Sequence, residues 1–279
     1  MFDKIKQLIF SWFSRRKIET SCWPEQWSDF LERKVSFYRH LAANDRFLFQ
    51  QRIRLFWQTT AINGGVDVSV SDEDRLLVAA SAIIPVWAFP HWHYMNLQAV
   101  YLLPAAFNER FECGKADSHF TGLVGTGPMI GKMALSRPDL YLGFSNSQDK
   151  HNVGIHEFVH LIDLADGACD GFPERLKPYS YALHWLELVA KKMIEIDRKK
   201  SNINDYGATD EAEFFAVASE YFFERPHMLK KKHPELYRAL EDIYQQDVLA
   251  IEKDIKIRKK SPCPCGSGKR YKHCCMPSP

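Results

Sequence analysis

No stretch of this chain is long and apolar enough to cross a bilayer. The longest hydrophobic run, residues 76–89, is interrupted by Pro85 and falls short of the roughly 20 residues a span requires. No secretory leader is expected from residues 1–17, which hold only short apolar stretches with Arg15-Arg16-Lys17 following them instead of preceding them. The expectation is a cytoplasmic protein. Neither sign of charge dominates, since 37 Lys and Arg against 35 Asp and Glu leave a net charge of +2. No strong global field for nucleic acid follows from that balance. There is no internal repeat. Gly125-Thr126-Gly127-Pro128-Met129-Ile130-Gly131-Lys132 has the wrong glycine spacing for a phosphate loop, with Met133 where a hydroxyl would hold magnesium, and is expected to be a flexible loop. Cys22, Cys113 and Cys169 stand isolated, and His91 and His93, two apart beside Pro90, are expected at the surface.

What is present is ample core material: 46% hydrophobic and 13% aromatic residues over 279 positions, enough for one large core or two modest ones. Its most informative segment is His156-Glu157-Phe158-Val159-His160. On a helix, residues four apart lie one above the other, so His156 and His160 can grip one zinc ion while Glu157 reaches metal-bound water. Ile155, Val159 and Ile162 supply apolar positions at helical spacing, and His156, His160 and Asp163 share another face. The helix is expected to open near Asn152, after a short strand at residues 138–144 and a polar turn at 145–150. The strand, at Leu140 to Gly143, is also a candidate edge for pairing with an extended peptide.

A catalytic zinc needs three protein ligands and an open position. Residues 206–223 begin with turn chemistry and continue as a helix, with Thr209 or Asp210 as N-cap. On it Glu213 and Glu220, seven apart, face one way among Phe and Ala. Acids placed among aromatics usually have a partner. Asp163 is a further candidate, either as an acceptor orienting an imidazole or as the third ligand itself. Another segment, residues 71–74, gives a helix-start signal for a buried helix over the long apolar run.

The other end of the chain carries a second metal signal. Cys263, Cys265, Cys274 and Cys275 bracket a Gly-rich turn within thirteen residues, which suits tetrahedral thiolate coordination of a closed structural zinc. So short a segment cannot bury a core without a metal. It resembles the SEC-C motif found on many bacterial proteins, with Cys275 where His also occurs. Lys269, Arg270, Lys272 and His273 are expected to form a compact basic surface, suited to an acidic partner or phosphate or else simply a solvated face.

Residues 152–163, Asp166-Gly167 and residues 212–223 together resemble the Mlc titration factor A family of zinc peptidases, with looser likeness at 27–38, 46–57 and 101–107. That resemblance implies His156 and His160 as zinc ligands, Glu157 as the catalytic acid/base, Glu213 as third ligand and Tyr206 as a tyrosine near the metal. It also implies kinship with gluzincin and lethal-factor-like peptidases and aminopeptidase-like action. Two departures stand out: Val159 where Ala is usual, and Arg137 in place of a tryptophan.

The sequence therefore predicts an α+β protein, mainly helical, with a small sheet beside the active-site helix. An N-terminal amphipathic segment (1–23) would precede a zinc metallopeptidase domain (24–255), a basic linker (256–262) and a SEC-C-type zinc module (263–279). Two zinc ions are expected, one catalytic and one structural. Partners would be a peptide or protein substrate and a protein held by the tail module. Phe2, Ile5, Ile9, Trp12 and Phe13 share one helical face suited to docking on the body of the protein or, alternatively, to resting on a membrane surface. The rival reading is a regulatory binding protein that sequesters a transcriptional regulator, as the family's name reflects, or an adaptor with a non-catalytic metal. An intact Glu157 argues for chemistry, since a structural site needs no general base.

Overall fold

The computed structural model describes residues 23–125, 129–145, 150–173 and 182–253, together with Arg270. The N-terminal amphipathic segment, the basic linker and the four tail cysteines lie outside these residues. The helices α1 (Glu25–Lys34), α2 (Ser36–His40) and α3 (Ala43–Thr59) lead to strand β1 (Ala61–Gly64), then α4 (Asp72–Ile83), β2 (Ala99–Leu103), β3 (Gly122–Val124) and β4 (Lys132–Ser136). After them come α5 (Arg137–Ser145), α6 (Val153–Asp163), α7 (Ala182–Asp197), α8 (Glu211–Glu224), α9 (Pro226–Lys232), α10 (Pro234–Tyr244) and α11 (Val248–Lys253). The fold is α+β and mainly helical, with one small mixed sheet of order β1-β2-β4-β3. β1, β2 and β4 run parallel, and β3 closes one edge antiparallel to β4, Leu123 opposite Ala134.

Helix α4 is the centre of the core. Leu76, Leu77, Val78, Ala79, Ala80 and Ala82 are all fully buried, and a helix apolar on every side can only sit inside. It starts where its sequence signal places it, at a capping box in which Ser71 Oγ accepts from the Asp74 N–H at 3.2 Å and Asp74 Oδ2 accepts from the Ser71 N–H at 2.7 Å. Such a box satisfies two otherwise orphaned donors. The helix ends at Ile83, before Pro85, and the half-buried Arg52 then donates to the carbonyls of Val86, Trp87 and Phe89. Among the described residues no helix is long and apolar enough to cross a membrane.

Helix α6 presses on α4 through Gly154: a Cβ there would lie 2.1 Å from Ser81 Oγ. Only the missing side chain permits that approach. On its core face Phe158 packs edge-on to Phe56 and Tyr94, and Val159 is fully buried.

The expected strand at residues 138–144 is instead the helix α5. Its buried residues, Leu140, Gly143 and Phe144, follow helical i, i+3, i+4 spacing, and Pro138 is tolerated in a first turn, where its missing N–H costs nothing. The strand before the metal-site helix is β4, six residues earlier than the apolar pattern suggested. The candidate edge at Leu140 to Gly143 is thereby withdrawn, and the sheet edge nearest α6 is β3. Arg137, the departure from tryptophan, clasps the sheet end to α4 through a 2.7 Å ion pair with the fully buried Asp74.

Candidate metal centre

The site lies between α6 and α8. Asn152 caps α6, its Oδ1 accepting from the Ile155 N–H at 3.1 Å, and Asp210 caps α8, accepting from the Glu213 N–H at 2.8 Å. Thr209 is thus not the cap. These two starts set the phase of each helix, and with it which side chains face the other.

Three ligand atoms converge. His156 Nε2 lies 3.1 Å from His160 Nε2 and 3.0 Å from Glu213 Oε2, and His160 Nε2 lies 3.4 Å from that same oxygen. Zinc bonds of about 2.05 Å at tetrahedral angles give ligand–ligand separations of about 3.3 Å. The three distances match the base of such a tetrahedron, leaving its fourth corner for water. Among the described residues this is the sole group of His, Cys, Asp and Glu side chains placed to hold a metal ion. His91 and His93 do not join it.

Charge is distributed to suit a cation. Burial would lower the His156 pKa, but the Glu220 charge and the hydrogen bonds that the ring donates to Glu213 and Glu220 hold it well above the ordinary histidine value. Glu213 answers in the opposite direction: burial opposes it, yet both imidazoles hold its carboxyl well below the usual range.

Glu220, only 2% exposed, fixes the first imidazole. Its Oε1 accepts from His156 Nδ1 at 2.7 Å, and its Oε2 accepts from the Asn152 N–H and lies 3.3 Å from His151 Nδ1. One carboxylate therefore anchors the start of α6 and leaves Nε2 of His156 facing the metal position. That is the outer partner ligating histidines usually require. Asp163, which the sequence offered either as an acceptor orienting an imidazole or as the third ligand, is not among the converging ligand atoms and accepts from the Gly171 N–H at 2.8 Å. The helical face assigned to Asp163 was right, but the loop after α6 returns and claims the carboxylate.

Glu157 is 6% exposed, and burial raises its pKa above the usual carboxylate value. The edge strand reaches it through Gly122, where a Cβ would stand 2.3 Å from Glu157 Oε1. Nothing in Thr121-Gly122-Leu123 marked that glycine out in the sequence; only the pairing of β3 with β4 reveals it. Tyr206 arrives on the 3-10 turn Asp205–Ala208, its hydroxyl donating to Glu213 Oε1 at 3.1 Å, its ring centroid 6.1 Å from that of His156. Burial and the Glu213 charge push its pKa up to about 12, so the phenol keeps its proton at any physiological pH.

Two histidines one helical turn apart, an acid between them and a third ligand from a following helix are the donor set of a metallopeptidase. Comparison with known proteins makes the family explicit. Residues 9–245 match the glucose-regulated metallo-peptidase M90 family, to which the chain belongs, and residues 260–277 match the SEC-C motif. The chain is 30% identical over 232 residues to the uncharacterized protein slr2042 of Synechocystis sp., covering 79% of this chain and 84% of that one. It is 29% identical to the Mlc titration factor A of Serratia proteamaculans, over 51% of this chain and 59% of that protein. The corresponding protein of Pectobacterium atrosepticum is 30% identical over 46% and 53%. The chain thus spans somewhat over half the length of these titration factors.

Proposed function

We propose that the protein is a zinc-dependent peptidase in which His156, His160 and Glu213 hold the metal and Glu157 is the general base. The observation that carries this reading is the 3.0–3.4 Å triangle of ligand atoms with a buried carboxylate of raised pKa beside it. Zinc, when bound, supplies Lewis acidity and lowers the pKa of a coordinated water to about 7. Glu157 takes a proton from the attacking water and returns it to the departing amine. Its raised pKa matches both halves of that task, since a base of ordinary acidity would return a proton less readily. Tyr206, protonated throughout, donates a hydrogen bond to the developing oxyanion, leaving Glu213 Oε1 as it does so. An extended substrate lies along β3, whose place at the sheet edge beside Glu157 offers backbone groups for pairing.

The expected action is aminopeptidase-like, in the cytoplasm. The four tail cysteines would hold a second, structural zinc and present a surface to a protein partner. A second reading draws on the printed name of the titration factors: binding and sequestration of a transcriptional regulator of the Mlc type, through the same face. Hydrolysis of a peptide library by wild type and by Glu157→Gln separates the two. Loss of cleavage with zinc retained supports the peptidase; cleavage unchanged in the variant contradicts it.

A further inference from the structure

The two imidazoles of the site are supported differently. His156 Nδ1 is held by the Glu220 carboxylate at 2.7 Å, whereas His160 Nδ1 faces the sulfur of Cys169 at 3.9 Å. Cys169 belongs to the loop that follows α6. Gly167, at φ +111°, turns the chain back in a conformation that favours glycine. Gly171 then meets α6, its N–H on Asp163 and its carbonyl accepting from Trp185 Nε1 at 2.6 Å. The loop is thereby pinned at Gly171, two residues after Cys169.

Asp163 is fully buried, and its second oxygen, Oδ1, has no hydrogen-bond partner within ordinary distance among the described residues. A buried acceptor in that state calls for a donor. The thiol of Cys169 lies beside this carboxylate, and a thiol can donate through S–H while accepting at sulfur. We propose that Cys169 is the positioning residue of His160: its S–H is directed to Asp163 Oδ1 and its sulfur accepts a hydrogen bond from the His160 Nδ1–H, which leaves Nε2 facing the metal. This rests on the zinc-site reading above. The arrangement relays the outer support of the second ligand from a buried carboxylate through an exposed thiol, where the first ligand has a carboxylate directly.

The test uses the full chain, with Cys169→Ala, Cys169→Ser and Asp163→Asn compared by zinc competition against a chelator and by cobalt absorption. The His156→Ala variant supplies the background of the tail module. Cys169→Ala should weaken the site's zinc affinity about tenfold, as loss of an outer partner does, and shift its cobalt bands. Cys169→Ser, which keeps a donor and an acceptor, should restore most of the affinity, and Asp163→Asn should fall near Cys169→Ala. Thermal midpoints of the metal-free variants close to wild type would exclude a folding defect as the cause. Unchanged affinity and spectrum in Cys169→Ala would overturn the assignment, as would Cys169→Ser behaving like Cys169→Ala. If instead wild type and His156→Ala take up the same amount of metal, the zinc-site reading itself fails, an outcome distinct from either.

Discussion

Replacing Glu220 with glutamine should cost zinc affinity through a single misplaced hydrogen. The carboxylate serves two donors at once, the Asn152 N–H and the Nδ1–H of His156, and glutamine has one acceptor for the two. With its carbonyl on the helix start, its amide NH2 confronts Nδ1. Metal-free, His156 can move its proton to Nε2 and accept from that NH2. With zinc on Nε2 the proton is forced back to Nδ1, donor against donor. The penalty therefore falls on the metal-bound state. An unsatisfied buried donor costs about 1–3 kcal/mol, and loss of such an outer partner lowers metal affinity on the order of 10- to 100-fold, which agrees. A partial offset is expected at low pH. There Glu220 favours the imidazolium form of His156, so its removal eases proton competition with zinc. The affinity loss should accordingly be largest at alkaline pH. Chelator competition across pH measures this directly. A variant that binds zinc as tightly as wild type at alkaline pH would refute the reasoning.

Other perturbations should act on separate parts of the site. Gly122→Ala places a Cβ 2.3 Å from Glu157 Oε1, so Glu157 must swing away; kcat should fall on the order of 100-fold, the usual worth of a general base, with zinc content unchanged. Tyr206→Phe should lower kcat about 10²-fold, as removal of one oxyanion donor does, with little change in zinc affinity, which titration of the variant would check. pH acts on the metal-free protein from both sides. The raised pKa of His156 gives stability that is full below 6.5 and is lost as pH rises through the higher folded value. The lowered pKa of Glu220 gives stability that is full above 4.5 and is lost as pH falls. Thermal midpoints of the metal-free protein should peak between these limbs and decline above neutral pH, while zinc affinity rises over the same alkaline range because a proton no longer competes.

Spacing made much of the site legible. His156, Glu157 and His160 needed only helical periodicity, whereas the cap of α8 was narrowed only to Thr209 or Asp210 and the hydrogen bond to Glu213 N–H decided for Asp210. Glu213 and Glu220 could be recognised as acids in want of partners because they stood among Phe and Ala, but which oxygen met which nitrogen depended on how α8 packs against α6. Residues 138–144 show how a local pattern misleads: a short apolar run with Leu, Tyr and Phe fits a strand or a buried helix equally. The ion pair of Arg137 with Asp74, 63 positions away, carries no local signal. Gly122 was invisible for the same reason, since a close approach of backbone to a distant side chain leaves no trace in sequence. Asp163 shows a milder version, its face read correctly and its partner decided by a loop that folds back.

The most direct test of the account is zinc stoichiometry on the wild-type chain beside His156→Ala and a chain ending at Lys260, with peptide hydrolysis followed in the same samples. The account predicts two zinc ions in wild type and one in each variant, with cleavage abolished only by His156→Ala. Zinc content unchanged by His156→Ala would contradict it.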